Sequence, residues 1–262
     1  MARSLTEAWG IEMRDLWVSL RLACGAKFGA GLAGFVLLGA AAGLEDIVTA
    51  FRTEGHLTAD YHFYLVKDIL SSPTLMMAVP IAAALPYTAC LVDALQSGFI
   101  RQQLPRTSLT RYATAKIMAC ALAGGLVLLL GVLSLYVISL LIFLPMELSG
   151  DISMMEEMGD LCKNGGLFFL SGMFWALIGL LLSLITDSRY MAYAAPFIVF
   201  YMLVILQERY FPDWFMLSPH EWLAPNELWF MGMGGAALWM TEGILIVGSV
   251  VYLLGQRRIR VL

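Results

Sequence analysis

The sequence predicts an all-α integral membrane protein, with six transmembrane helices in a single domain covering residues 1–262. Charged residues make up only 14% of the chain and hydrophobic ones 60%, where an ordinary soluble domain carries roughly 25% charged residues. Uncharged runs recur at the length needed to cross a bilayer, about 20 residues. The bases are also sorted. Twelve of the 16 Lys and Arg residues fall in alternate connections and at the termini, and four in the acid-rich connections between them. Cytoplasmic segments carry that excess, so both termini are expected inside. Sorting of this kind makes the formal net charge of −4 uninformative.

The spans are predicted at approximately 27–48, 74–92, 112–146, 165–186, 190–207 and 234–255. Before the first, Leu5, Trp9, Met13, Leu16, Trp17 and Leu20 recur at helical spacing among Arg and Glu residues. That pattern predicts an amphipathic helix in the membrane interface rather than a cleavable signal, with packing against a soluble partner as the alternative. In the first span Gly29, Gly31, Gly34, Gly39 and Gly43 thin the helix and suit close packing in lipid. Residues 45–72 hold five acids against Arg52 and Lys67 and are predicted to be an extracytoplasmic loop. The second span contains Pro80 and Pro86, which membrane helices tolerate as kinks. The third uncharged run, residues 117–146, would be roughly 44 Å long as a helix, so it should tilt or project from the bilayer.

An acidic stretch, residues 147–160, is predicted to be the next outer loop, and the four residues Thr186–Arg189 a tight inner turn. Residues 207–233 are rich in Trp, Phe, Met and Pro, too interrupted to span and too apolar to float free. A re-entrant or interfacial outer segment before the sixth helix fits that composition.

Several classes of chemistry find no support. No basic surface suited to nucleic acid occurs. Cys24, Cys90, Cys120 and Cys162 are scattered without paired spacing. His56 and His62 flank Asp60, but no further strong ligand at metal-site spacing joins them. Glu156-Glu157 is similar to the paired glutamates of membrane CAAX-type proteases, yet Met158, Gly159, Asp160 and Leu161 follow instead of the required arginine. All three histidines, His56, His62 and His220, fall in predicted outer segments, which argues against intramembrane proteolysis. No GxxxxGK[ST] phosphate-binding pattern occurs either, so the chain is expected to be no enzyme and to bind no cofactor of its own.

The loop at residues 91–116 stands apart. Arg101, Arg106, Arg111 and Lys116 face a single acid, Asp93, while Leu91, Leu95 and Phe99 recur at helical spacing. Pro105 stops that helix before another opens near Ser108. Read from these residues alone, the loop is either a solvated connector or a short amphipathic helix presented to a cytoplasmic partner.

The arrangement Asp93, Gly98-Phe99-Ile100, Arg106, Tyr112 and Lys116, running into Gly124-Gly125, resembles permeases of the ABC-2 type of ABC transporter, the type V exporter-like transmembrane subunits. In that family the loop after the second span is a cytoplasmic coupling helix that docks onto an ATPase. The resemblance implies the transmembrane subunit of an ATP-driven exporter. It would pair with a second, identical or related permease and with two ABC ATPase subunits, which hold the ATP-Mg. The implied coupling residues are Asp93, Gly98, Phe99, Arg101, Gln102, Pro105 and Arg106. A bacterial plasma membrane is implied in the same way. A stand-alone secondary transporter or channel and an accessory membrane subunit are the competing classes.

Glu242 is the one acid well inside a predicted span, away from its ends. An ionised acid at that depth costs about 2–3 kcal/mol, so something should offset it. In one account Glu242 is protonated, or bonded to a neighbouring helix or to a base such as Arg209; in the other it lies on the substrate pathway or its outer gate.

Overall fold

The computed structural model describes residues 16–53, 56–98, 100, 108–148, 154–226 and 228–260. These form helices joined by turns, with one isolated parallel bridge between Leu57 and Glu147. Four helices are long and apolar enough to cross a membrane, and up to six spans result if each of two bent helix pairs counts as one.

The first bent pair joins α1 (Leu16–Ala23) to α2 (Ala26–Ala42) at 53°. Predicted span 27–48 is divided between α2 and α3 (Leu44–Arg52), with Gly43 at the break. A Cβ on Gly43 would lie 2.7 Å from Ile69, so the bare backbone lets the next helix pack there. The second bent pair is α4 (Tyr61–Ser71) and α5 (Pro73–Ala84), at 69°. Ser72 sits at the corner and caps α5 by accepting from the Leu75 N–H, while Pro73 takes the first helical turn, where no N–H is needed.

Residues 45–72 are therefore not the open loop that their acids suggested. The buried positions of α4 include 62, 65, 66, 69 and 70, spaced as one helix face packed against the centre of the bundle. Beyond Ala84 the chain leaves the helix through a turn containing Pro86, which has no N–H to give. The buried Thr88 hydroxyl donates to the Ala84 carbonyl, four residues back, at 2.6 Å. A short helix follows, α6 (Cys90–Gln96).

The two longest helices, α7 (Leu109–Phe143) and α8 (Met154–Thr186), form the central antiparallel pair. They cross at glycine: the space for a Cβ on Gly172 is taken by the Gly124 carbonyl, and one on Gly124 would meet the Gly172 carbonyl at 2.7 Å. Backbones that approach this closely exclude any side chain from the crossing. α8 begins inside the stretch predicted as an outer loop. Its first turn carries Glu156 and Glu157, which the positive end of a helix dipole favours, and Glu157 and Leu161, one turn apart, both point inward.

α2 and α5 pack against this pair; α9 (Arg189–Tyr210) packs on α8 and α5, and α11 (Met233–Arg260) on α8 and α7. The segment between them, predicted as broken and apolar, is a short 3-10 turn followed by α10 (Pro219–Leu223). Trp222 anchors it, stacking on Trp175 of α8 with ring centroids 5.9 Å apart and meeting Phe174 edge-on at 5.3 Å. Its indole N–H donates to the Met216 carbonyl, so the anchor's polar edge is satisfied inside its own segment.

Candidate functional sites at the two ends of the helices

One end of the bundle gathers α6, the α8–α9 turn and the last turns of α11. Asp93 of α6 lies 2.8 Å from the Arg189 guanidinium, which also donates to Gln96 Oε1. Gln96 in turn donates to the Asp187 carbonyl at 2.9 Å. Asp187 has φ 54°, the left-handed conformation that makes the turn tight, and its carboxylate lies 3.6 Å from Arg258 of α11. Arg258 also reaches the Ile185 carbonyl. Side-chain contacts thus stitch α6 to the α8–α9 turn and that turn to α11.

α6 itself ends in a left-handed residue. Gly98 has φ 69° and its N–H bonds back to the Leu95 carbonyl. Glycine adopts that conformation without the Cβ penalty, which accounts for its place in the loop. Ile100 is fully buried with Leu91, Tyr112, Ile117 and Ile259 around it. Among the residues implied by the ABC-2 resemblance, Phe99, Arg101, Gln102, Pro105 and Arg106 lie outside the described residues. Tyr112 and Lys116 face inward: the Lys116 ammonium donates to the Tyr87 hydroxyl and sits over the Tyr87 and Tyr112 rings. The motif's second half, with Gly124-Gly125 at the helix crossing, therefore acts in packing.

The opposite end holds a cluster that no local sequence pattern announces. His62 is buried near the start of α4 between two acids. Its backbone N–H donates to Glu147 Oε1 at 2.7 Å, and ring Nδ1 lies 2.8 Å from Glu147 Oε2. On the ring's far side Nε2 faces Glu157 Oε1 at 3.6 Å, without a hydrogen-bond partner among the described residues. Tyr136 of α7 donates to the other Glu157 oxygen, and Ser139 to the His62 carbonyl. Glu147 is brought there by the Leu57 bridge, where the Leu57 N–H donates to the Met146 carbonyl and the Leu148 N–H to the Leu57 carbonyl. The sequence grouped His62 with His56 and Asp60; the fold groups it with Glu147 and Glu157. No set of three His, Cys, Asp or Glu residues placed to hold a metal occurs among the described residues.

At the same end a cavity of about 260 Å³ opens between α8, α9, α11 and the anchored segment. Phe174, Leu203, Met216, Trp222 and Trp239 line it, together with Glu242. Glu242 is exposed and makes no ion pair or hydrogen bond among the described residues, with Arg209 or with a neighbouring helix. His220, in the anchored segment, lies 2.8 Å from the Met76 sulfur and edge-on to Phe200. Burial pushes its pKa down, against the opposing pull of Glu208 and Glu221.

Comparison of the chain with protein-family models, with curated proteins and with solved structures found no match.

Proposed function

We propose that this chain is the transmembrane subunit of an ATP-driven exporter of the ABC-2 kind. Its α6 end faces the cytoplasm of a bacterial cell and carries the docking surface for a separate ATPase. The observation that supports this most is the stitching of α6 through Asp93 and Gln96 to Arg189 and Asp187, and onward to Arg258. A connector needs no such tie. A lever does, because a push on the loop at residues 91–107 is then delivered to the α8–α9 turn and to α11 together. The layout of the bases and the motif from Asp93 to Lys116 support the same reading. Two permeases over two ATPases would alternate access to a shared pathway, with Glu242 on its outer part.

The test begins with the chain isolated from its native membranes. It is expected to bring with it a separate subunit that photolabels with an azido-ATP analogue. Arg101→Glu combined with Arg106→Glu should release that subunit while the helical circular dichroism and elution profile of the chain stay unchanged. A wild-type chain that carries no nucleotide-labelled subunit overturns the proposal, as does a double variant that keeps it.

A further inference from the structure

We infer that the cavity beside Glu242 is a binding site for lipophilic monovalent organic cations, which deepens the exporter reading by naming its class of cargo. Three observations converge on this chemistry. The walls are aromatic and aliphatic, with Phe174, Trp222 and Trp239 among the lining residues and Leu203 and Met216 beside them. Among the described residues Glu242 is the only ionisable one lining it, and none of them brings a base to the cavity. The carboxylate also lacks any partner among the described residues, although it sits within a helix long and apolar enough to cross a membrane.

An apolar pocket with a few placed polar groups is the usual form of a small-molecule site, and here the single polar group is an anion. The ligand that satisfies it carries one delocalised or well-shielded positive charge on a hydrophobic body. Charge attraction to Glu242 and cation–π contact with the indoles act on the same group. A neutral hydrophobe fills the walls and leaves the acid unpaired; an anion is repelled. Small hydrated cations such as Na⁺ meet one carboxylate and no further oxygen ligands, too few for the six to eight that hard cations take. The site is also prebuilt. Trp222 is held by its stack on Trp175 and its bond to the Met216 carbonyl, so a wall of the cavity is rigid before the ligand arrives.

The test uses tetraphenylphosphonium and tetraphenylborate, which share size and shape and differ in the sign of their charge. Equilibrium dialysis with the purified chain in detergent is expected to show saturable binding of the phosphonium, one per chain, with quenching of tryptophan fluorescence. Tetraphenylborate should show only unsaturable partition into the micelle. Glu242→Gln and Glu242→Leu should each weaken phosphonium binding at least tenfold. Both should fold, since the acid is exposed and holds no other group. Equal saturable binding of the borate, or wild-type phosphonium affinity in both variants, overturns the inference, as does the absence of saturable binding in the wild type. Binding in dialysis requires no ATPase. A chain with a nucleotide-labelled partner and no phosphonium site loses only this inference, and a chain with the site and no partner loses only the exporter reading.

Discussion

The two ends of this molecule use the same pairs of acids and bases to opposite effect. At the α4 end the His62 and Glu147 side chains are each 4% exposed, and the imidazole is enclosed by Glu147, Glu157 and Tyr136. At the α6 end the Asp93 and Arg189 side chains are 42% and 57% exposed. Removing one member of a buried pair leaves the other desolvated and alone, whereas an exposed pair exchanges its partner for water. One end is therefore an anchor and the other a joint whose contacts can be remade at little cost. The exporter proposed above would use that division, with a yielding joint where force enters and a fixed frame at the far end.

Glu147→Ala tests the anchor most severely. It strips the acceptor from both the His62 backbone N–H and Nδ1, and a loss of about 3–5 kcal/mol in unfolding free energy is expected. Glu147→Gln keeps one acceptor and should lose less. If Glu147→Ala unfolds like the wild type in a denaturant titration, the anchor half of the comparison is wrong. Asp93→Asn should change stability by no more than about 1 kcal/mol, because its pair is open to solvent. A loss as large as that of Glu147→Ala would make the α6 end a second anchor.

The smallest effect concerns His220, the other histidine held at the α4 end. Its folded pKa lies below its unfolded value because burial disfavours the imidazolium. The stability it contributes is then fully present above the ordinary histidine range, about 6.5, and is lost as pH falls through it toward the folded value. The melting temperature should therefore decline more gently on acidification from pH 7 to 5 in His220→Gln than in the wild type. Identical slopes would show that His220 carries no share of that dependence.

What the sequence made legible follows from the range of each signal. The long uncharged runs at residues 117–146 and 165–186 marked α7 and α8 because hydropathy is local and continuous there. Pro105 stood out as a helix stop by residue type, yet α6 ends earlier, at Gln96, where Gly98 takes the left-handed turn with φ 69°. Glu242 stood out because a lone acid in an apolar run is conspicuous, yet the cavity around it was invisible, since its walls come from α8, α9, α11 and the segment between the last two. The His62 cluster was less legible still. Its acids lie in what reads as a polar loop, and Glu147 sits 85 residues from the imidazole that it holds. Acidic character outweighed periodicity in the reading of residues 45–72 and 147–160, although the buried positions of α4 were already spaced as a helix.

The glycine crossing of α7 and α8 bears on how the chain comes together. The two helices are neighbours in sequence, joined by a short connection, and their docking surface is complete within themselves: Gly124 against Gly172 needs nothing from α9 or α11. Contacts between chain neighbours close small loops and so form early. The pair can lock as soon as both helices have left the ribosome, presenting a finished template to α9, the Trp222 anchor and α11 as each is synthesised. A bulky residue at Gly124 would thus be felt first in biogenesis, as nascent chain lost to quality control.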